Sequence, residues 1–181
     1  AGGKYTTYRV MGKDVVDRAV IELRRITQDS VTEKLPLVGA DGFFALEQQK
    51  ERIAHESGLD VQTVTHLLNR YGSLISEILE IIAEEPKLAK KLDADLPYIK
   101  AEIVYAASHE GARTVDDVIS RRTRLAFEAE GHGVHLADEV STLIAPILGW
   151  SAKERKESVA AYESLVDREL AALDALLEAS S

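Results

Sequence analysis

The sequence contains no cysteine, which excludes disulfide bonds, thiolate metal sites, cysteine nucleophiles and Cys-x-x-Cys redox chemistry. It has only 4 prolines and 11 glycines in 181 residues, which leaves little room for a β-rich fold. No apolar run approaches the roughly 20 residues that a membrane-spanning helix requires. Acidic residues outnumber basic residues by 31 to 22, and the net charge of −9 argues against a nucleic-acid partner.

What the chain does have is apolar residues at helical spacing along most of its length. Gly58 is predicted to end one helix, Asp60 to cap the next, and Ser151 with Glu154 to form a capping box. The helix at residues 73–82 is apolar around much of its circumference, so we expect it to be central and buried. Helices are predicted over residues 7–26, 43–57, 60–71, 73–82, 98–110, 115–127, 136–148 and from 151 onward.

The stretch over residues 28–42 differs from its surroundings, because Pro36 and two glycines interrupt any helix there. We interpret it as a linker between residues 1–27 and an all-α domain at residues 43–181. The chain opens with Ala1-Gly2-Gly3-Lys4, without a methionine or a basic-then-apolar leader. We therefore expect the sequence to be cut from a longer protein.

The opening motif brings together residue types that suit an anion. Gly2 and Gly3 allow the backbone to approach a ligand closely, since they carry no Cβ atom. Thr6 and Thr7 begin a helix whose first N–H groups lack partners within the helix. These groups, the helix dipole and the Lys4 ammonium converge on one point, where a phosphate or a developing negative charge could bind. A plain loop with a threonine cap and a surface lysine is the alternative interpretation.

Several strings resemble one enzyme family, the FAD-dependent, quinone-linked (aerobic) glycerol-3-phosphate dehydrogenases. GGKYTTYR at residues 2–9 resembles the end of their flavin-binding domain, where such a segment leads from the last strand into a long helix. LPLVGA at residues 35–40 resembles their linker, and Tyr71-Gly72 resembles a YG pair of their helical domain. Residues 101–124, AEIVYAASHEGARTVDDVISRRTR, resemble their longest signature.

The resemblance implies an enzyme that oxidises sn-glycerol 3-phosphate to dihydroxyacetone phosphate. A hydride passes to FAD and the electrons continue to a quinone, in a cytoplasmic enzyme that is peripheral at the membrane. Gly2, Gly3, Lys4, Thr6 and Thr7 are then expected to touch the flavin. Lys4 is also the expected catalytic residue, near the reacting face. The implied fold is an all-α helical bundle, preceded by a strand/turn-helix remnant of the flavin-binding domain (residues 1–27).

The chain departs from this family because it contains no G-x-G-x-x-G motif, and the substrate-binding sheet is missing too. The expected partners are therefore the missing N-terminal FAD and substrate domains. We predict that the 181-residue chain alone carries no FAD and no dehydrogenase activity. The helical domain is then expected to act as a scaffold or in oligomer contacts, including a homodimer.

A second group of charged residues could form a phosphate site or an ion network that joins two helices, and we favour the network. Its carboxylates and hydroxyl group face several adjacent arginines in the sequence. The residues are Glu102, Tyr105, Glu110, Arg121, Arg122 and Arg124.

Three further hypotheses compete for parts of the chain. His132 and His135 have the spacing of a metal pair, but without cysteine we predict no metal site. Ala54, Gly58 and Val64 suit a helix-turn-helix, although acids outnumber bases over residues 41–72. The last helix suits an interaction module, because its outer surface carries small residues that permit close helix approach, namely Ala160, Ala161, Ala171, Ala172 and Ala175.

Overall fold

The computed structural model describes residues 2–23, 26 and 28–179, with the backbone alone of Ala179. It divides into two compact units, Ala1–Asp41 and Gly42–Ser181. Within the described residues there is no β-strand, and a single antiparallel bridge joins Lys91 to Ile99. The predicted all-α fold is confirmed.

The first unit contains one long helix. A 3₁₀ turn at Tyr5–Thr7 leads into α1 (Tyr8–Glu22), and a second 3₁₀ turn follows at Thr32–Lys34. None of these three elements contains a buried residue. We predicted that α1 would reach about Ile26, but it ends at Glu22. Arg24, Arg25 and the predicted domain boundary at Thr27 lie outside the described residues.

The second unit is a bundle of helices joined by short turns. Tight 3₁₀ turns at Gly72–Leu74, Pro86–Ala89 and Glu130–Leu136 and a π-helical stretch at Asp117–Arg122 connect several of them. No helix in the described part of the chain is both long enough and apolar enough to cross a bilayer. The α-helices are α2 (Phe43–Glu47), α3 (Lys50–Ser57), α4 (Val61–Tyr71), α5 (Ile75–Glu84), α6 (Lys100–Ser108), α7 (Leu125–Glu128), α8 (Ala137–Leu148) and α9 (Ala152–Ala179).

The predicted caps are present. Gly58 ends α3 with φ +71°, a conformation that glycine adopts without a steric cost. The Asp60 carboxylate accepts a 2.8 Å hydrogen bond from the Thr63 N–H at the start of α4. At α9, the Ser151 N–H donates to Glu154 Oε2 (2.7 Å) and the Glu154 N–H donates to Ser151 Oγ (3.3 Å). These contacts satisfy backbone N–H groups that have no partner inside the helices.

The core of the second unit consists of two hydrophobic clusters that share α6. Buried residues of α3, α4 and α5 form one cluster, to which Ala101 and Tyr105 of α6 belong. Buried residues of α8, α9 and the Asp117–Arg122 stretch form the other, to which Ile103 and Ala106 of α6 belong. The central helix is therefore α6, because two of its sides face apolar neighbours.

Two predicted helices are interrupted in the structure. The helix predicted over residues 43–57 breaks at Gln48–Gln49 into α2 and α3, and no glycine or proline marks the break. The helix predicted over residues 115–127 instead becomes π-helical and ends at Thr123, which is extended. The buried Thr123 hydroxyl donates to the carbonyl of Val118 at 2.8 Å, so the side chain competes with the helix for backbone groups.

Candidate functional site

The opening motif forms a turn at the start of α1. Lys4 is extended (φ −69°, ψ 140°), and its carbonyl accepts the Thr7 N–H at 3.0 Å and the Thr7 hydroxyl at 2.9 Å. These two hydrogen bonds fix Thr7 to the turn. Gly2, Gly3 and Thr6 are exposed on the same short segment. The structure therefore brings the predicted residues together on a single turn, in a solvent-exposed position.

The donors on this turn suit a negatively charged group. Among the described residues, the backbone N–H groups of Tyr5 and Thr6 make no hydrogen bond and the Lys4 ammonium makes no ion pair. A Cβ atom on Gly2 would meet nothing within 4 Å, whereas a Cβ atom on Gly3 would lie 2.5 Å from Met11 Sδ. This donor set fits the acceptor-rich edge of an FAD isoalloxazine ring.

Arg9 holds the second 3₁₀ turn against α1. Its guanidinium donates to the Leu35 carbonyl at 2.8 Å, to the Thr32 carbonyl and, at 3.3 Å, to the Thr32 hydroxyl. No local signal could have identified these acceptors, because 23 and 26 residues separate them from Arg9.

A buried polar network surrounds Glu102 in the second unit. This carboxylate is fully buried and accepts hydrogen bonds from His66 Nε2 (3.0 Å), the Tyr71 hydroxyl (3.1 Å) and the Ile99 N–H (2.8 Å). Arg70 Nε lies 3.3 Å from Glu102 Oε1 and completes a charged pair. The network connects α4 to the first turn of α6, where the two hydrophobic clusters meet.

Arg70 is one of three partners of Glu102 that sequence reasoning missed, together with His66 and Tyr71. Its guanidinium lies 5.4 Å from the ring centre of Tyr71 and 5.2 Å from that of Tyr98, and it also donates to the carbonyl of Arg122. Planar guanidinium groups pack well against aromatic faces. The pKa of the Tyr71 hydroxyl is raised well above its usual range by burial and by the neighbouring Glu102 charge.

The partners that we predicted for Glu102 are wrong. Arg121 pairs with Asp116 and Asp117, and Arg124 Nε lies 3.2 Å from Glu128 Oε1. Of the other three members, Arg122 and Glu110 contact each other, but through the main chain of Glu110. Tyr105 donates to Glu77 Oε2 at 2.6 Å, and Arg122 Nε donates to the backbone carbonyl of Glu110 at 2.8 Å.

Glu110 lies beside this network with one unsatisfied atom. Its Oε2 is buried and has no hydrogen-bond partner among the described residues. Burial raises the pKa of its carboxyl group, although the charges of Arg70 and Arg122 act in the opposite direction. The folded protein therefore holds this proton more tightly than the unfolded chain does.

This proton affinity predicts a pH dependence of stability. The stabilisation that the protonated Glu110 provides is fully present below the ordinary pKa of a glutamate and is lost as the pH rises through its higher pKa in the folded protein. Glu110→Gln should therefore raise the free energy of unfolding at pH 7 by about 1 kcal/mol. Urea denaturation at pH 4 and pH 7 measures the difference, with Glu130→Gln as the control, because Glu130 is exposed and makes no ion pair with any residue that the structure describes. A loss of stability in Glu110→Gln at pH 7 contradicts this prediction.

His132 and His135, which have the spacing of a metal pair, contact different groups. His132 Nδ1 donates to the Ala126 carbonyl at 3.1 Å, whereas His135 Nε2 lies 3.0 Å from Asp93 Oδ2. In the part of the chain that the structure describes, no cluster of three or more histidines and carboxylates could hold a metal ion.

The helices around Gly58 have the geometry of a helix-turn-helix, but α4 lacks the basic surface that DNA binding requires. Ala54 and Val64 are buried on either side of the turn at Gly58, as such a motif requires. The recognition helix, α4, however, contains one arginine, Arg70, whose guanidinium contacts Glu102 and aromatic rings. No cation of α4 is therefore available to contact a phosphate backbone.

The last helix, α9, is buried on one side in its first half only. Tyr162 and Val166 belong to a hydrophobic cluster, and the Tyr162 hydroxyl donates to the His132 carbonyl at 2.6 Å. Further along, Leu170 and Leu173 are 41% and 52% exposed. The alanines of the predicted interaction surface are exposed as well.

Comparison with known proteins gives two kinds of match. The family described as the C-terminal domain of alpha-glycerophosphate oxidase matches residues 30–155. The chain is 45% identical to Glycerol-3-phosphate dehydrogenase 2 of Mycobacterium tuberculosis over 170 residues, which cover 94% of this chain and 29% of that protein. No solved structure matches the chain.

More distant relatives carry the same enzyme name. Glycerol-3-phosphate dehydrogenase of Synechocystis is 29% identical over 168 residues, covering 92% of this chain and 30% of that protein. A protein of Caenorhabditis elegans, Probable glycerol-3-phosphate dehydrogenase, mitochondrial, is 32% identical over 176 residues, covering 94% of this chain and 24% of that protein. The chain thus spans less than a third of the length of these relatives. Because the family match covers more than half of the chain, the chain belongs to the family of the C-terminal domain of alpha-glycerophosphate oxidase.

Proposed function

We propose that the chain is the C-terminal part of an FAD-dependent glycerol-3-phosphate dehydrogenase that oxidises sn-glycerol 3-phosphate to dihydroxyacetone phosphate. The observation that carries the proposal is the similarity to glycerol-3-phosphate dehydrogenases over 94% of the chain. The order of the motifs supports it, since GGKYTTYR precedes the linker and the helical unit, as the family resemblance requires. By the same resemblance, the parent enzyme is peripheral at the membrane and uses a quinone.

The exposed turn before α1 is the proposed contribution of this chain to catalysis. FAD, when bound, accepts the hydride that the substrate loses and gains negative charge on its ring. We propose that the Lys4 ammonium and the N–H groups at the helix start bind this charge, with Thr6 and Thr7 forming the turn. Gly2 and Gly3 allow the backbone to approach the ring. Such donors stabilise the reduced state more than the oxidised state, which favours the reaction.

The surface of α1 supports the placement of residues 1–27 in a flavin-binding domain. None of its residues is buried, and even apolar side chains are exposed, Val16 to 59% and Ile21 to 65%. Helices in proteins gain most of their stability from the packing of an apolar face against other elements. We propose that upstream domains of the same protein cover these side chains.

For the helical unit we propose a scaffolding role. Its polar network at Glu102 is enclosed by protein and contacts its own side chains, as a structural network does. A second candidate role is a homodimer contact through α9, which the exposed Leu170 and Leu173 favour. Light scattering of the chain tests this role through its mass in solution.

The flavin content of two proteins tests the proposed function. The longer protein that contains this chain should bind FAD, and sn-glycerol 3-phosphate should bleach its flavin absorption in the absence of oxygen. The 181-residue chain alone should be colourless and inactive, because it lacks the dinucleotide-binding unit.

The outcomes of this experiment are distinct. A longer protein without flavin, or one whose flavin the substrate does not reduce, contradicts the proposed activity. A yellow preparation of the 181-residue chain contradicts only the expectation that the cofactor site is incomplete. Glycerol without a phosphate serves as the control substrate.

A further inference from the structure

The contacts of Arg9 connect two segments that the sequence separates. Arg9 lies in the first turn of α1, two residues after Thr7, and its guanidinium reaches the backbone of the 3₁₀ turn at Thr32–Lys34. Two of its three acceptors are main-chain carbonyls, those of Thr32 and Leu35, and the third is the Thr32 hydroxyl. Among the described residues, Arg9 makes no ion pair with a carboxylate.

The nature of these acceptors determines what the contact does. A guanidinium that binds a side chain leaves the backbone of its partner free to move, whereas one that binds two carbonyls fixes the course of the chain. The bound turn is also internally ordered, because the Leu35 N–H donates to the Thr32 carbonyl at 3.3 Å. Arg9 is therefore attached to a hydrogen-bonded turn, just before Pro36.

At its other end, Arg9 is close along the chain to the opening turn. The Lys4 carbonyl accepts both donors of Thr7, and α1 begins at the next residue. The Arg9 guanidinium also lies 5.6 Å from the centre of the Tyr8 ring, whose partner in a stacked pair is Tyr5. The side chains of Tyr5, Tyr8 and Arg9 thus form a line of contacts from the opening turn to the linker.

We propose that Arg9 is a positioning residue, which anchors the first turn of α1 to the linker backbone and so fixes the orientation of Lys4 toward the flavin. The inference rests on the proposed function, since only a bound flavin gives the orientation of Lys4 a chemical consequence. Arg9 itself touches neither the cofactor nor the substrate. Replacing Arg9 is expected to affect the flavin indirectly, because the opening turn that carries Lys4 loses its anchor.

The test compares variants in the full-length holoenzyme. Arg9→Gln removes the charged fork, and Arg9→Lys retains the charge but reaches one carbonyl at most. Arg18→Gln is the matched control, because Arg18 lies on the same helix and pairs with Glu22 on the exposed surface. Lys4→Met marks the full effect of losing the ammonium group. Each variant is examined by limited proteolysis of residues 28–41 and by the midpoint potential of the flavin.

We expect cleavage within residues 28–41 to be about tenfold faster in Arg9→Gln than in the wild type, because the charged hydrogen bonds that hold the turn are lost. The midpoint potential should be lower than that of the wild type and lie between it and the value for Lys4→Met. Arg9→Lys should show smaller changes of the same sign, and Arg18→Gln should show none.

Other outcomes overturn the inference or the proposed function separately. If Lys4→Met lowers the potential and Arg9→Gln does not, the positioning role is wrong, even if cleavage becomes faster. If cleavage is no faster in Arg9→Gln than in Arg18→Gln, the anchoring contact is wrong. If no flavin is present in the wild type, or Lys4→Met leaves the potential unchanged, the proposed function of the turn fails instead.

Discussion

Replacing Glu102 by alanine is expected to lower the free energy of unfolding of the chain by about 3–5 kcal/mol. The carboxylate is fully buried and is the shared acceptor for His66, Tyr71 and the Ile99 N–H. Its loss leaves these donors without a partner and leaves the Arg70 charge only partly compensated. Urea or thermal unfolding, followed by circular dichroism, measures the change.

A control variant measures how much stability is lost when an exposed carboxylate, rather than the buried Glu102, is removed. Glu56→Ala removes an exposed partner of Arg52 and should cost well under about 1 kcal/mol. Glu102→Gln preserves the shape and one acceptor, so it should fold even if the alanine variant does not, with an intermediate loss of stability. Equal stabilities for Glu102→Ala and Glu56→Ala would show that the network contributes nothing.

The position of this network explains why the centre of the bundle could not be predicted from sequence. Periodicity favoured the apolar helix at residues 73–82, yet α5 buries only one side, with Ile75, Ile78 and Ile82. The shared helix is α6, which combines small and polar residues with a few large apolar ones. Small residues permit close approach on several sides, and Glu102 is buried because it has partners. Neither property produces an amphipathic pattern.

Local signals predicted local structure well. The caps at Gly58, Asp60 and Ser151 are correct, because each depends on contacts within four residues. The partners of Glu102 could not be found in this way, since His66 and Tyr71 lie 36 and 31 residues away along the chain. The sequence suggested Arg121, Arg122 and Arg124 as partners of Glu102, but the packing of α4 against α6 places Arg70 next to this carboxylate instead.

In the opening turn, too, local structure could be predicted from the sequence, whereas contacts between distant residues could not. Spacing in the GGKYTTYR string predicted the turn and the helix, and both are present, as the contact from Thr7 to Lys4 shows. The anchoring of Arg9 to Leu35 depends on how the chain returns after α1, which no local pattern encodes. The assignment of Gly2, Gly3, Lys4, Thr6 and Thr7 to the flavin comes from the resemblance and stays a prediction.

Lys4→Met in the full-length enzyme gives the most direct test of that assignment. We expect kcat to fall by about 10²–10³-fold, the usual cost of removing one donor to a charge that develops during reaction. The side chain is exposed and forms no ion pair among the described residues, so its loss should not alter the fold. Steady-state kinetics with sn-glycerol 3-phosphate measures kcat, and absorbance gives the flavin content.

Lys13→Met is the matched control for this variant. Lys13 is also a lysine near the start of α1, but its ammonium lies 2.6 Å from the Asp17 carboxylate on the surface of the helix. Its removal should change kcat by less than about twofold, as for an exposed ion pair. A general effect of positive charge near the start of α1 would lower kcat to the same extent in both variants. Only an ammonium group that acts at the reacting centre predicts a large loss in Lys4→Met and almost none in Lys13→Met.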